Sequence, residues 1–230
     1  MRWIGQTKIL SIRPFHSDDR EGLFKIAADT AFFGKPIEKY MEDRRIFLDA
    51  FYAYYTDYEP EHCWVALAND DVVGFITGCV DTEKKEKIVN RKINPRIIFR
   101  LLTGYYQLGP MGRQYIRRTL KSKRKHLHPS VELDQYPAHL HINVDENWRG
   151  YGIGIRLMKV YLDQLSYLNI PGVHLGTSSE NVVACKMYEK LGFQLIEEKP
   201  SIMWEGIVDH PVFSRAYGLK MENFGKSLLP

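Results

Sequence analysis

The sequence predicts an α/β fold, and three observations carry that expectation. The apolar run Leu140 to Val144 leads into the turn Arg149-Gly150-Tyr151-Gly152-Ile153-Gly154 and then into a long amphipathic run, the pattern of strand, tight turn and helix. Cys63 to Ala68 and Val72 to Val80 read as two strands joined at Asn69-Asp70-Asp71, a hairpin signal. Helical and strand periods alternate through most of the chain without internal repeats or low-complexity linkers. The 230 residues can bury one substantial core and demand no second, so residues 1–230 are expected to form a single domain.

Taken in order, Lys8 to Pro14 alternates like a short strand, and Asp18 with Glu21 gives a capping-box signal for a helix through Leu23, Phe24 and Ile26. A second helical stretch follows Pro36 to about Tyr55, although Tyr52, Tyr54, Tyr55 and Tyr58 cannot all share one of its faces. The hairpin comes next. Residues 82–134 then depart from the compact pattern as an inserted helical hairpin: one helix near Pro95 to Tyr106, a break at Gly109-Pro110, and a second helix carrying Arg113, Arg117 and Lys121. After it come a strand at His139 to Val144, the glycine turn, a helix to about Leu168 and a strand at Val173 to Gly176. A helix from Asn181 to Leu191 stopped by Gly192, a strand from Phe193 to Glu198 and a last strand near Phe213 to Met221 complete the chain.

Composition narrows the function classes. A chain 44% apolar and 26% charged is of the soluble globular kind; it holds no membrane-length apolar run, and Met1 to Leu10 lacks a secretory apolar block, so the cytoplasm is expected. Cys63, Cys79 and Cys185 are too scattered for a metal or redox pair and read as reduced, packed thiols. The net charge of +4 conceals an imbalance, because residues 84–126 hold 14 Lys and Arg against the one acidic residue Glu86. That segment is a solvated helical hairpin, a lid or acidic-substrate patch, or a nucleic-acid or membrane surface.

The glycine turn carries the strongest chemical signal. Closely spaced glycines let main chain approach a ligand, and the unpaired N–H groups and dipole of the following helix favour an anion such as phosphate. A dinucleotide fingerprint is excluded because Leu157 stands where its last glycine would fall. A phosphate loop is excluded because Lys220 stands where Gly225-Lys226-Ser227 would need an earlier glycine.

Further on lie Asn181, Ala184 and Tyr188, followed by Leu191-Gly192-Phe193. Arg149-x-x-Gly152-x-Gly154 together with this second constellation resembles the GNAT superfamily of acyl-CoA-dependent N-acetyltransferases, clearly over residues 138–198 and more weakly over the first 80. The resemblance implies a mixed, mostly antiparallel sheet with helices on both faces, in which the basic hairpin is inserted between the third and fourth strands. It also implies a strand before the turn that is bulged and splayed from its neighbour. Acetyl-CoA is the implied cosubstrate and an amine the implied acceptor. Backbone groups of Ile142, Asn143 and Val144 would hold the pantetheine arm and thioester carbonyl, and Arg149, Gly150, Tyr151, Gly152, Ile153 and Gly154 the pyrophosphate.

Arg149 would add contacts to phosphate or face solvent, and Asn181 would bond the pantetheine or simply cap its helix. Tyr188 would be the general acid for the departing thiolate. The base stays open among His141, Asp145 and Glu180, with His139 on the same strand face as His141. His139-x-His141 and His126-x-His128 lack further ligands at a recognisable spacing, so no metal is expected. Helical geometry turns Cys185 away from Tyr188, and no covalent acyl-enzyme is expected. The stretch Tyr136 to Ile142 is also similar to acetyltransferase-like domains attached to glycosidases that act on protein-linked N-acetylglucosamine. An inert CoA-binding or interaction module acting through its insertion is therefore the competing reading.

Overall fold

The computed structural model describes residues 10–225. One seven-stranded sheet runs β1 (Leu10–Pro14), β2 (Cys63–Ala68), β3 (Asp71–Cys79), β4 (Ala138–Val144), β5 (Gly172–Ser178), β7 (Phe213–Lys220), β6 (Gln194–Pro200), and all its pairings are antiparallel except β4 with β5. The last strand of the chain thus slips between β5 and β6, an order that local sequence pattern does not specify. The β2–β3 turn takes positive φ at Asn69 (49°) and Asp70 (69°), a conformation those two residue types tolerate. Lys8 and Ile9 of the expected first strand lie outside the described residues.

Several boundaries differ from expectation for identifiable reasons. The expected Asp18–Glu21 box gives way to one between His16 and Asp19 on a 3-10 turn (Ser17–Asp19) ahead of α1 (Arg20–Asp29): the Asp19 carboxylate accepts the His16 N–H (2.8 Å) and two Arg13 guanidinium N–H groups (2.7 and 2.8 Å). The expected 36–55 helix is divided into a single turn (Ile37–Lys39), α2 (Arg44–Phe51) and α3 (Ala53–Tyr58), with Tyr52 at φ −120° between the last two. This break resolves the tyrosine conflict, since Tyr52, Tyr54 and Tyr55 are all buried and Tyr58 alone of the four stays exposed.

Between β3 and β4 the helical segment begins earlier than its apolar residues suggest. Asp81 accepts the Lys84 N–H (2.9 Å) and starts α4 (Thr82–Ile88), which passes through a π-helical turn (Val89–Ile93) into α5 (Asn94–Leu102). Gly109-Pro110 then opens α6 (Pro110–Arg124), whose first N–H groups, from Met111 and Gly112, both reach the Glu42 carboxylate at 2.8 Å. Part of the basic charge is answered within the protein: Lys84 pairs with Glu59, Arg96 with Asp57 and Arg100 with Asp49.

Two cores flank the sheet. The first joins α1, α2 and α3 to β2 and β3 through Leu23, Ile26, Tyr55 and Phe75; the second joins α7 (Ile153–Tyr167) and α8 (Val182–Lys190) to the sheet through Leu140, Leu157, Tyr161 and Leu175. Tyr161, fully buried, donates from its hydroxyl to the carbonyls of Cys79 (3.1 Å) and His139 (3.2 Å), pinning α7 across the β3–β4 seam. Gly78 makes this possible, because a Cβ there would lie 2.2 Å from the Tyr161 ring and hydroxyl. Among the described residues no helix is long and apolar enough to cross a membrane. Gly78→Ala is expected to cost about 2–3 kcal/mol by overpacking this contact. Urea unfolding measures it, and a loss under about 0.5 kcal/mol would show that the ring moves freely aside.

Candidate active site

The site begins where the sheet parts. β4 and β5 pair only at Ala138 with Val173 and His139 with His174, although both strands run on to Val144 and Ser178. On its other side β4 keeps constant register with β3, from Gly74 opposite Val144 to Cys79 opposite His139. The bulge implied for β4 is therefore absent from that pairing, and the opening is the divergence of β4 from β5. Asp145 donates its N–H to Val73 (3.0 Å), which fixes the alternation. Main-chain groups of His141 and Asn143 turn toward β3, whereas those of Leu140, Ile142 and Val144 turn into the cleft. Asn143 contributes differently from expectation: its side-chain amide donates to Thr30 Oγ1 (2.6 Å) and its Oδ1 accepts from the Tyr52 hydroxyl (3.3 Å).

The glycine turn follows β4 and opens α7. Gly150 (φ 85°) and Gly152 (φ 73°) occupy left-handed conformations, and no atom stands within 4 Å of where a Cβ would be, so both main-chain surfaces lie open. The first recorded bond into α7 runs from the Arg156 N–H to Gly152 O (3.1 Å); the N–H groups before it have no intrahelical acceptor and sit at the positive end of the helix. Gly154 admits the Met187 sulfur, 3.2 Å from where its Cβ would lie, bringing α7 against α8. Arg149 turns back onto the protein, donating to Gly34 O (3.0 Å) and Val144 O (3.3 Å). Lys35 pairs with Glu146 beside it (2.7 Å), so the loop after α1 is fastened to the turn at two points. Tyr151 is exposed, its ring 5.9 Å from Trp148.

Asn181 occupies the N-cap position of α8 but makes no capping bond with its side chain. Its amide donates instead to Thr177 Oγ1 (3.1 Å), and both residues line the cavity. One turn on, Ala184 packs into the second core; after a further turn comes Tyr188, buried against Phe193 and Tyr217 at ring distances of 6.0 and 5.9 Å. Burial pushes the Tyr188 phenol well above its ordinary pKa, so it holds its proton throughout the physiological range. Cys185 points elsewhere, its thiol donating to Ser178 O at 3.8 Å.

Ile142, Asn143, Thr177, Asn181 and Tyr188 border one cavity of about 700 Å³, whereas Val144, the glycine turn and Ala184 lie outside its lining. Of the three candidate bases, His141 lines it. Asp145 does not, and its carboxylate caps the turn at Glu146–Trp148 by accepting the Asn147 N–H (2.9 Å). Glu180 is also outside the lining and meets His210 Nε2 at 3.0 Å. His139 and His174 join His141 at ring distances of 4.7 and 4.9 Å around His139. His139 Nδ1 meets the Tyr55 hydroxyl (2.8 Å), and His174 Nδ1 donates to Tyr136 O (2.8 Å). Burial, reinforced by the nearby Lys85 ammonium, pushes His141 down to about 3 and lowers His139 and His174, leaving three neutral imidazoles. Lys85 is itself lowered by burial. Among the described residues no three His, Cys, Asp or Glu side chains could hold a metal ion. Sequence reasoning missed Tyr52, His174 and Thr30, whose contacts join residues dozens of positions apart and leave no local spacing to detect.

The histidine cluster has a consequence for stability. Unfolded imidazole titrates near 6.5 and folded His141 near 3, so the unfolded chain binds the proton first on acidification. Its contribution is full above pH 6.5 and is lost as pH falls toward 3. At pH 5 this amounts to about 2 kcal/mol. The loss of unfolding free energy between pH 7 and pH 5 should therefore be smaller in His141→Gln than in the wild type by about 1–2 kcal/mol; equal losses in urea titrations would exclude a strongly depressed His141.

The site can be set beside known proteins. The sequence profile described as Acetyltransferase (GNAT) family matches residues 116–193. A solved structure named SsHAT is 30% identical over 92% of this chain and 98% of its own, with a TM-score of 0.72. The yncA structure from Salmonella typhimurium, solved with its cofactor acetyl-CoA, shares the fold at 13% identity and a TM-score of 0.55, over 94% of this chain and 96% of that one. The polyamine N-acetyltransferase of Drosophila melanogaster, which catalyses formation of N-acetylagmatine, does so at 16% identity and 0.57, over 92% of this chain and all of its own.

Proposed function

The chain belongs to the acetyltransferase (GNAT) family of acyl-CoA-dependent N-acetyltransferases, and from that premise we propose that it transfers the acetyl group of acetyl-CoA directly to a primary amine, in the cytoplasm. The observation that carries this reading is the conjunction of the β4–β5 opening, the open glycine turn that follows β4 and the buried Tyr188 phenol on the cavity wall. The residues present fit the donor. The inward main-chain groups of Ile142, the Val144 N–H and the amide of Asn181 offer partners for the pantetheine arm. Gly150 to Gly154 present main-chain N–H groups to the pyrophosphate. With Arg149 committed to two carbonyls, the grip on phosphate falls mainly to the main chain.

Acetyl-CoA supplies the acyl group as an activated thioester. Tyr188, held neutral by burial, gives its proton to the departing thiolate. An amine of pKa near 10.4 is uncharged in roughly one molecule in several thousand at pH 7, which adds about 4–5 kcal/mol to the barrier unless its proton is removed. Of the three candidate bases His141 alone borders the cavity; the burial that keeps it neutral also makes it a weak base, so it accepts a hydrogen bond from the uncharged amine, whose proton leaves to solvent. Cys185 is turned to Ser178 and forms no acyl-enzyme.

Tyr188→Phe should lower kcat by about 100-fold while leaving acetyl-CoA affinity within about twofold, as judged by thiol release and calorimetry. Unchanged kcat would remove Tyr188 from the mechanism. Gly152→Val should weaken acetyl-CoA binding by at least about tenfold and Arg149→Ala by much less; the reverse order would assign the phosphate grip to the guanidinium. Stabilisation by acetyl-CoA without thiol release across a broad amine panel would favour the inert CoA-binding reading.

A further inference from the structure

The cavity that receives Tyr188 and His141 is also lined by Phe33, Tyr40, Phe47, Tyr115 and Trp204. Trp204 stands edge-on to Phe33 (4.7 Å) and Tyr40 (5.1 Å), and Tyr40 meets Tyr115 at 5.0 Å. These rings come from the loop after α1, from α2, from α6 and from the turn after β6, so the helical hairpin contributes a wall of the chamber.

Charge in this lining is sparse. Among the described residues that border the cavity, Glu86 is the one carboxylate. Arg215, the one lysine or arginine there, is held by Glu198 at 2.5 Å. The lining histidines, His128, His139, His141 and His174, are all lowered toward the neutral form by burial and neighbouring lysines. Glu86 is also the single acidic residue among residues 84–126. The one negative group in that strongly basic stretch is thus the one facing the chamber.

Resting on the acetyl-transfer reading above, we propose that the acceptor is a monoamine carried on an aromatic body, an arylalkylamine, whose ring packs against Trp204 and Phe33 while Glu86 attracts its single ammonium. An aromatic ring gains apolar contact and edge-to-face packing against such walls. A polyamine or guanidino-amine brings a second cation, and the lining holds no second carboxylate to receive it. Burying that cation unpaired works against binding. Glu86 is exposed at the lining, so its role is attraction and orientation rather than proton abstraction.

The test compares 2-phenylethylamine, tyramine and tryptamine with agmatine, putrescine and spermidine, by thiol release from acetyl-CoA and by calorimetry on the CoA-loaded full chain. The expected kcat/KM for arylalkylamines exceeds that for the polycations by at least about tenfold. Trp204→Leu reduces the preference to about threefold or less, with Phe33→Leu as the second variant should the first fold poorly. Glu86→Gln raises the arylalkylamine KM by about tenfold and affects kcat far less. Thiol release favouring the polycations overturns this inference alone. Calorimetric binding of arylalkylamines without thiol release upholds the chamber and overturns acetyl transfer. Absence of both binding and turnover with arylalkylamines overturns the inference.

Discussion

The parting of β4 from β5 after two paired residues is the constraint on which the rest of the site depends. An interior strand normally spends its main-chain groups on both neighbours, and leaving them unpaired away from water is costly. Here β3 pairs one edge of β4 from His139 to Val144, while the inward groups of Ile142 face an opening bordered by Thr177, Asn181 and Tyr188. A chain that keeps such an opening has a use for it, and an extended ligand with its own amides is the chemistry that completes a missing ladder.

The surroundings prepare that opening for neutral chemistry. The Tyr52 break lets Tyr52, Tyr54 and Tyr55 bury together, and the rings of Tyr52 and Tyr55 pack against His139 and His141. Burial then keeps the imidazoles uncharged and the Tyr188 phenol protonated in a common low-polarity environment. Tyr161 and Gly78 hold the same seam from the opposite face. The Arg149 bridge to Gly34 ties the anion-facing turn to the loop that supplies Phe33 to the aromatic wall.

Most of the fold was legible because its signals are local. The hairpin at Asn69-Asp70, the strand before the glycine turn, α7 and α8 each announce themselves through period and punctuation, and their observed limits differ from expectation by a few residues. The early start of α4 was hidden because its residues are mostly charged, so that its cap at Asp81 rather than an apolar stripe defines it. The position of β7 between β5 and β6 was hidden for a different reason, since pairing partners far apart in sequence leave no mark on either strand. At the site, the Asn181 to Tyr188 interval marks two residues that line the cavity, whereas the glycine turn lies outside its lining. Arg149 and Asn143 could not be read the same way: both side chains are spent on partners contributed by the first 55 residues. Glu86 did carry a signal, as a lone carboxylate in a basic stretch, and its meaning emerged only once the helix it lies on was seen to border the cavity.

The placement of the cysteines bears on what happens after turnover. An enzyme of this kind discharges a free thiol at every cycle, and in oxidising conditions that product forms disulfides able to exchange with protein thiolates. Cys63, Cys79 and Cys185 are all buried, and burial pushes Cys79 up to about 11 and Cys63 higher still. Exchange needs an accessible thiolate. The protein is therefore built to make a reactive sulfur compound without becoming its adduct.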